Sequence, residues 1–324
     1  MRRRQARLDK HHGFEGRLVA FIRLGRPQFL VGGFLLYGLG AAVACAAVAG
    51  VTLDARTYLL GQAAITAIQL MTHYANEYFD LAADRANLTP TEWSGGSRVL
   101  VSGALSPRVA LRAAQVLRTV ALLLAATVCF AGGRGGRVAA GALVGALVLA
   151  WAYSAPPLRL HSRGLGELTT AIVVTGLTPL VGFVLQSGGL AGAAGLARAL
   201  LPLAGLQLAM LLAIEFPDAA GDAVAGKRTL VVRLGAAVAA GAYRALLVAI
   251  YGAIPLLLIG GLPGRAAVAA ASLGPLAAWQ FWVLGRGAWG EARRWEGMAF
   301  RAVAMLIGTT AAELAAFLWI IGRR

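Results

Sequence analysis

The chain has 324 residues, 59% of them hydrophobic and 14% charged, with 30 Lys and Arg against 14 Asp and Glu and a formal net charge of +16. Soluble domains carry roughly 25% charged residues, so an ordinary water-facing surface is excluded. At about 20 residues per span plus loops, the length accommodates about eight to ten membrane helices. The positive charge is not the mark of a nucleic-acid binder. The basic residues stand at the ends of apolar runs rather than interleaved with aromatic side chains in a patch, so membrane orientation accounts for them.

The opening stretch MRRRQARLDKHHGFEGR is polar and basic, with no short apolar region and small-residue cleavage site directly behind it. Residues 1–25 are expected to form a basic cytoplasmic tail, and 26–324 a single transmembrane domain. Apolar runs follow at 29–50, 57–75, 113–131, 138–155, 169–187, 198–216, 238–260, 267–284 and 302–321. Each is near the length that crosses about 30 Å of hydrocarbon, which predicts an all-α, multi-pass membrane protein of nine transmembrane helices. Their Gly and Ala content favours closely packed helices. The period-two alternation of a membrane strand barrel is missing. Cys45 and Cys129 fall inside apolar runs, where a small buried thiol is the default.

With the N-terminus inside, most of the 30 basic residues fall on the inner side. The positive-inside bias therefore places the N-terminus in the cytoplasm and the chain in the cell (inner) membrane. Of the 14 carboxylates, all but Asp54 and Glu313 lie in the tail, the inner loops or the inner helix ends. The inner connections after the second and sixth spans are long and polar, whereas outer turns such as GGRGGR at 132–137 and GLPGR at 261–265 are short and Gly-rich. Chemistry is expected at the cytoplasmic face.

Two acidic constellations stand there. At the end of the second span, Asn76-Glu77-Tyr78-Phe79-Asp80-Leu81-Ala82-Ala83-Asp84 puts Asn76, Asp80 and Asp84 along one helical face at spacings of four and eight. Stacked carboxylates beside membrane core repel each other, and a bare charge there is costly. A divalent cation turns that repulsion into binding, and Mg²⁺ suits oxygen ligands while leaving part of its shell for phosphates. At the end of the sixth span, Asp218 and Asp222 repeat the pair after Pro217, with Gly226-Lys227-Arg228 following at once. Carboxylates for a metal beside direct cationic contacts suit a diphosphate. A single acidic pair at a helix end is as readily a solvated cap; the duplication on one side of the membrane carries the inference. Between them, the segment from Tyr153 to Glu167 offers a phenol and the guanidinium groups of Arg159 and Arg163, fitted to a carboxylate or phosphate. His161 there is too little for a metal site by itself and is expected to serve the loop or to back up a ligand from behind, rather than take a direct part in the chemistry. Ser94-Gly95-Gly96-Ser97-Arg98 could contact phosphate but lacks the Gly-Lys-Ser/Thr ending of a nucleotide P-loop.

Asn76-x3-Asp80-x3-Asp84 paired with Asp218-x3-Asp222-x3-Gly226-Lys227-Arg228-Thr229-Leu230 resembles the two aspartate-rich motifs of the UbiA superfamily of intramembrane aromatic prenyltransferases, over roughly residues 20–320. Tyr153-Ser154-Ala155-Pro156-Pro157, Arg163-Gly164-Leu165-Gly166-Glu167 and the ending through Gly235 look most like the branch that prenylates 1,4-dihydroxy-2-naphthoate and makes demethylmenaquinone. The resemblance implies nine helices around a central cavity, with a cytoplasmic cap that holds Mg²⁺ and a polyprenyl diphosphate. It implies metal ligation by Asp80, Asp84, Asp218 and Asp222 with Asn76 assisting, and neutralisation of the leaving diphosphate by Lys227, Arg228 and Arg98. Tyr153 is expected near the reacting carbon, and Arg159 or Arg163 on the acceptor's carboxylate. One departure stands out: where relatives often carry Asn, this chain has Ile214, and Glu215 beside it points about 100° away on a regular helix. Other acceptors of the same family remain open, namely 4-hydroxybenzoate, homogentisate, chlorophyllide, haem or a glycerophosphate headgroup. A transporter is the alternative from another class, disfavoured because the ionisable groups collect at one face instead of mid-membrane.

Overall fold

The computed structural model describes residues 14–323, and every element in it is a helix. In chain order these are α1 (Phe14–Leu24), α2 (Leu30–Ala47), α3 (Ala55–Phe79), the short α4 (Leu81–Ala86), α5 (Pro107–Ala131) and α6 (Gly136–Ser154). Then come α7 (Gly166–Thr170), α8 (Thr178–Ser187), α9 (Ala193–Glu215), and two further short helices, α10 (Ala219–Val224) and α11 (Leu230–Leu234). The chain closes with α12 (Ala236–Ile259), α13 (Gly264–Ala271), α14 (Gly274–Gly285) and α15 (Ala292–Gly322). Helix α3 packs on α5 and α6, α2 on α8, and α9 on α12 and α15, while α15 returns to α2 and closes the bundle.

Among the described residues, eight helical segments are long and apolar enough to cross a membrane, so the chain is a multi-pass integral membrane protein. The one expected span missing from this set, the second at 57–75, forms α3, a helix of 25 residues. It falls outside the apolar set because Gln62, Gln69, His73, Asn76 and Glu77 ride on it. Of these, Gln69, His73 and Asn76 face a central cavity. The first 13 residues of the expected tail lie outside the described residues. From Phe14 the chain is helical and packs on α3: Leu24 is fully buried, Tyr74 donates its hydroxyl to the Phe21 carbonyl (3.0 Å), and the two rings stack at 5.0 Å. Phe130 (90% exposed) and Ile259 (83% exposed) face outward, a placement suited to lipid contact.

Close approach between helices is bought with glycine. A methyl group at Gly40 on α2 would collide with the backbone carbonyl of Pro179, and one at Gly182 on α8 with the carbonyl of Tyr37. Backbone cannot retreat as a flexible side chain can, and overpacking costs about 1–3 kcal/mol. Gly40→Ala is expected to lower the thermal midpoint of the detergent-purified protein. Gly241→Ala, where nothing stands within 4 Å of the added methyl, is expected to leave it unchanged; equal midpoints for the two variants would contradict this account of the α2–α8 contact.

Between α7 and α8 the helix widens into a π turn over Ala171–Leu177. Pro179 has no N–H to donate and its ring would press on the carbonyl four residues back; widening relieves this, and the Thr178 hydroxyl donates instead to the Val173 carbonyl (3.0 Å). Such turns re-aim side chains at functional sites, and here Val173, Val174 and Thr178 face a central cavity.

Candidate active site

Four chain segments meet at one end of the bundle. Helix α3 ends at Phe79, and Asp80, with φ −93° and ψ 0°, bends the chain into α4, which carries Asp84. The i→i−4 bonds continue through the bend, from Asp80 N to Asn76 O (2.8 Å) and from Asp84 N to Asp80 O (2.9 Å). Asn76, Asp80 and Asp84 therefore stay on one side, as their spacing suggested, and all three line one polar cavity although the helix is interrupted at Asp80. Helix α9 likewise stops at Glu215, and α10 starts at Ala219 beyond Pro217, with Asp218 at its N-cap and Asp222 inside it. The backbone thus leaves helical geometry where the sequence required it to for Glu215 to turn inward. Glu215 and Ile214 both line the polar cavity.

Asp80 is the hub. Its Oδ1 lies 2.6 Å from His161 Nε2, and its Oδ2 accepts from Lys227 Nζ at 2.8 Å, while Lys227 also stands 3.4 Å from Asp222 Oδ1. The other His161 nitrogen lies 2.5 Å from the Tyr153 carbonyl, and the Tyr153 and His161 rings stack at 5.0 Å. Asp218 accepts from Asn87 Nδ2 at 2.6 Å and from the Gly95 N–H at 3.2 Å. Asn76 accepts from the Ser154 hydroxyl at 2.8 Å. The Ser94–Arg98 loop is tied down by buried Glu77, which accepts from both the N–H (2.6 Å) and the hydroxyl (2.7 Å) of Ser97. Gly96, at φ +69°, abuts the Asp84 carboxylate so closely that any side chain there would strike it.

The charges are unequal. Burial pushes Asp84 up to about 8, with Asp80, Glu77 and Asp218 adding to the effect. Burial and neighbouring Asp222 push Asp218 up to about 7, and burial raises Asp222 too. Burial alone would raise Asp80, but Lys227 and His161 outweigh it and hold its carboxyl well below the usual range. Lys227 is held above its ordinary value by Asp80 and Asp222 against the opposing effect of burial. One ammonium serves a group of carboxylates, and among the described residues neither Asp84 nor Asp218 forms an ion pair of its own. Among the described residues, no three His, Cys, Asp or Glu side chains close on a common point as a complete metal-ligand set.

Two adjoining cavities result. A polar one of about 100 Å³ is lined by Asp80, Asp84, Asp218, Asp222, Lys227 and His161, among others. A larger, mainly apolar one of about 240 Å³ runs into the bundle. Arg26, Asn76, Trp93, Tyr153, Leu211 and Ile214 face both. Arg26 was not singled out in the sequence: its guanidinium donates to the Trp93 carbonyl (3.0 Å) and lies 4.4 Å from the centre of the Phe29 ring. Asn87 was likewise passed over, since it repeats no acidic motif and only the fold carries it to Asp218; His161, expected in a supporting role, backs Asp80.

Four of the expected cationic contacts lie elsewhere. Arg159 and Arg228 are exposed and line neither cavity. Arg163 is exposed and donates to the Pro157 carbonyl at 3.0 Å. Arg98 donates to the Asp84 backbone carbonyl and thereby braces the loop; its side chain lines neither cavity.

A charged mouth opening onto an apolar cavity inside a membrane bundle defines an enzyme that grips an anionic headgroup beside a hydrocarbon chain. The profile of the UbiA prenyltransferase family matches residues 37–304, and the chain belongs to that family. Its fold is similar to that of a digeranylgeranylglyceryl phosphate synthase, at 17% identity over 95% of this chain and 99% of that one, with a TM-score of 0.62. It is similar to a UbiA homologue from Archaeoglobus fulgidus bound to GPP and Mg²⁺, at 18% identity over 94% and 99%, TM-score 0.60. It is also similar to the apo structure of a UbiA homologue from Aeropyrum pernix K1, at 19% identity over 90% and 96%, TM-score 0.56. At these identities the likeness is one of fold. No curated protein matches the sequence.

Proposed function

We propose that this membrane prenyltransferase moves the prenyl group of a polyprenyl diphosphate onto a hydroxylated acceptor with Mg²⁺ as its cofactor, at a site facing the cytoplasm. The observation that carries the reading is the polar cavity, with more carboxylates than cations, placed directly on the apolar one. Mg²⁺ fits that donor set. Burial among neighbouring carboxylates pushes Asp84 up to about 8 and Asp218 up to about 7, so each holds a proton that a divalent cation would displace, and an incomplete protein shell suits an ion that takes its remaining ligands from water and substrate phosphates. Asp84 and Asp218, with Asp222, Asp80 and Asn76 around them, are the residues to hold it. When bound, the ion supplies positive charge against the diphosphate.

The chain's own residues do the rest. Lys227 brings a permanent positive charge to the leaving diphosphate, which takes the electron pair of the breaking C–O bond. The apolar walls keep water from the allylic cation so formed, and Tyr153, at the junction of the two cavities, stands beside it. The acceptor's carbon or oxygen attacks that cation and gives up a proton or, for a naphthoate, carbon dioxide.

The first acceptor class is a glycerophosphate headgroup. It is the kind of acceptor named by the digeranylgeranylglyceryl phosphate synthase whose fold spans 95% of this chain. With Arg159 and Arg163 outside both cavities, the guanidinium pair expected to grip an aromatic carboxylate is not at hand. The second is 1,4-dihydroxy-2-naphthoate, favoured by the motif segments around Tyr153 and Gly235. Membranes containing the protein, Mg²⁺ and labelled polyprenyl diphosphate are expected to convert one of geranylgeranylglyceryl phosphate, 1,4-dihydroxy-2-naphthoate or 4-hydroxybenzoate, read by mass analysis of the lipid extract. Conversion that persists after chelation of Mg²⁺, or no consumption of the diphosphate with any acceptor, would overturn the reading.

A further inference from the structure

The larger cavity is apolar on most of its wall, but one stripe of it is not. Gln69, Thr72, His73 and Asn76 lie at intervals of three and four on α3 and all line it, so the polar groups face inward along a single helix. Two of the four are already satisfied. Thr72 donates its hydroxyl to the Ile68 carbonyl (2.8 Å), and Asn76 accepts from Ser154 (2.8 Å). Gln69 and His73 are not. Gln69 Oε1 is shut off from solvent with no hydrogen-bond partner, and its amide presses against Gly33 on α2, which has no side chain to fill that space. Leaving such a group unpaired beside an apolar wall is costly unless something that visits the cavity pairs with it.

The orientation of His73 is fixed from outside the cavity. Its Nδ1 lies 2.7 Å from the Gly25 carbonyl. A carbonyl only accepts, so the hydrogen is on Nδ1, and in the neutral ring Nε2 is left as a bare acceptor. Among the described residues nothing donates to that nitrogen. The ring is steadied edge-on by Phe29 at 6.1 Å, which in turn meets Trp93 at 5.9 Å, so the acceptor nitrogen is held rather than free to turn away. His73 sits one helical turn deeper than Asn76, which faces both cavities. A group bound at His73 is therefore within one turn of the point where diphosphate and hydrocarbon would part.

We infer that His73, with Gln69 beside it, is the subsite that recognises a hydroxyl of the acceptor: the hydroxyl donates to His73 Nε2 inside the apolar cavity, and the Gln69 amide takes a second polar group of the same molecule. This rests on the prenyl-transfer reading above and adds to it the class of acceptor, one with a free hydroxyl close to the carbon that attacks. A diphosphate or a hydrocarbon tail cannot serve in its place, since neither offers a donor to a bare imidazole nitrogen.

The test uses the full chain in membranes, saturating Mg²⁺ and labelled polyprenyl diphosphate, and the two aromatic acceptors named above, which attack through carbon, together with their O-methyl ethers; the glyceryl phosphate attacks through its own hydroxyl, so its ether has nothing to react with, and turnover of that acceptor alone would overturn the assignment. Wild type is expected to prefer the hydroxylated acceptor over its ether by about tenfold or more in kcat/KM, the worth of a buried hydrogen bond that the ether cannot make. His73→Asn keeps a donor near Nδ1 for the Gly25 carbonyl but removes the acceptor nitrogen. It should collapse the preference to about twofold while the KM for the diphosphate stays within about twofold of wild type. His73→Gln does the reverse, losing the Gly25 contact and presenting an amide oxygen to the cavity, and should retain the preference. A residue that merely braces Gly25 would rank the two variants the other way. Full preference in His73→Asn, an unchanged rate for the ether in wild type, or a raised diphosphate KM in both variants would overturn the assignment. Wild type that consumes no diphosphate with any acceptor would instead sink the prenyl-transfer reading, and the subsite with it.

Discussion

Asp218→Asn is expected to cut prenyl transfer by on the order of 10²–10³-fold, the scale on which a preorganised electrostatic contact to the leaving group acts, with insertion into the membrane intact. Asp218 forms no ion pair among the described residues, and Asn87 and Gly95 aim both its oxygens. Lys227→Met should be as damaging for a different reason. The ammonium is buried against Asp80, which is only 5% exposed, and breaking a buried pair from one side costs about 3–5 kcal/mol because the remaining charge is stranded. Arg228→Met is the contrast. It follows Lys227 in the same motif, yet its side chain is exposed and lines neither cavity, so turnover is expected within about twofold of wild type. Turnover of labelled polyprenyl diphosphate and thermal midpoints in detergent separate the three. Near-normal turnover in Asp218→Asn, or a collapse in Arg228→Met, would refute this allocation of roles.

Without metal, the protein is expected to lose stability as pH rises from the ordinary aspartate range toward about 8, where Asp84 titrates. The raised values of Asp84 and Asp218 mean that the folded state binds more protons than the unfolded one across this window, so the free energy of unfolding falls with rising pH. Asp80 does not oppose this. Its lowered value contributes stability present above the ordinary aspartate range and lost only as pH falls below it. Mg²⁺ needs the deprotonated carboxylates, so binding releases protons and tightens as pH rises through about 7 to 8. Added Mg²⁺ should therefore raise the thermal midpoint more at about pH 8 than at about pH 6. A metal-free midpoint that climbs through the window, or Mg²⁺ stabilisation of equal size at both values, would contradict the assignment of Asp84 and Asp218 as the proton-holding pair.

Much of the site was legible in the sequence because carboxylates beside apolar runs are conspicuous, and their duplication at helix ends is a pattern in one dimension. Direction was not legible. Arg159, Arg163 and Arg228 sit in the right loops, but whether a guanidinium faces a cavity or water depends on turns the residue order does not specify. Arg159, for example, takes a left-handed backbone conformation at φ +45° and is exposed. His161 reads as a loop or supporting residue, but which group it supports is hidden because its partner, Asp80, is 81 positions away. Asn87 pairs across 131 positions with Asp218, and Arg26 stands at the boundary between the expected tail and the first apolar run, where nothing in the residue order marks it.

Composition and the spacing of apolar runs were enough to determine a multi-pass helical membrane protein, since hydrocarbon demands about 20 apolar residues per crossing wherever they occur. The paired aspartate motifs were enough to determine the family. The kink at Asp80, the break after Glu215, the His161–Asp80–Lys227 connection and the polar stripe facing the central cavity were decided only by tertiary structure. Each depends on contacts between residues far apart in the chain, where packing and charge pairing outweigh the local preference to continue a helix.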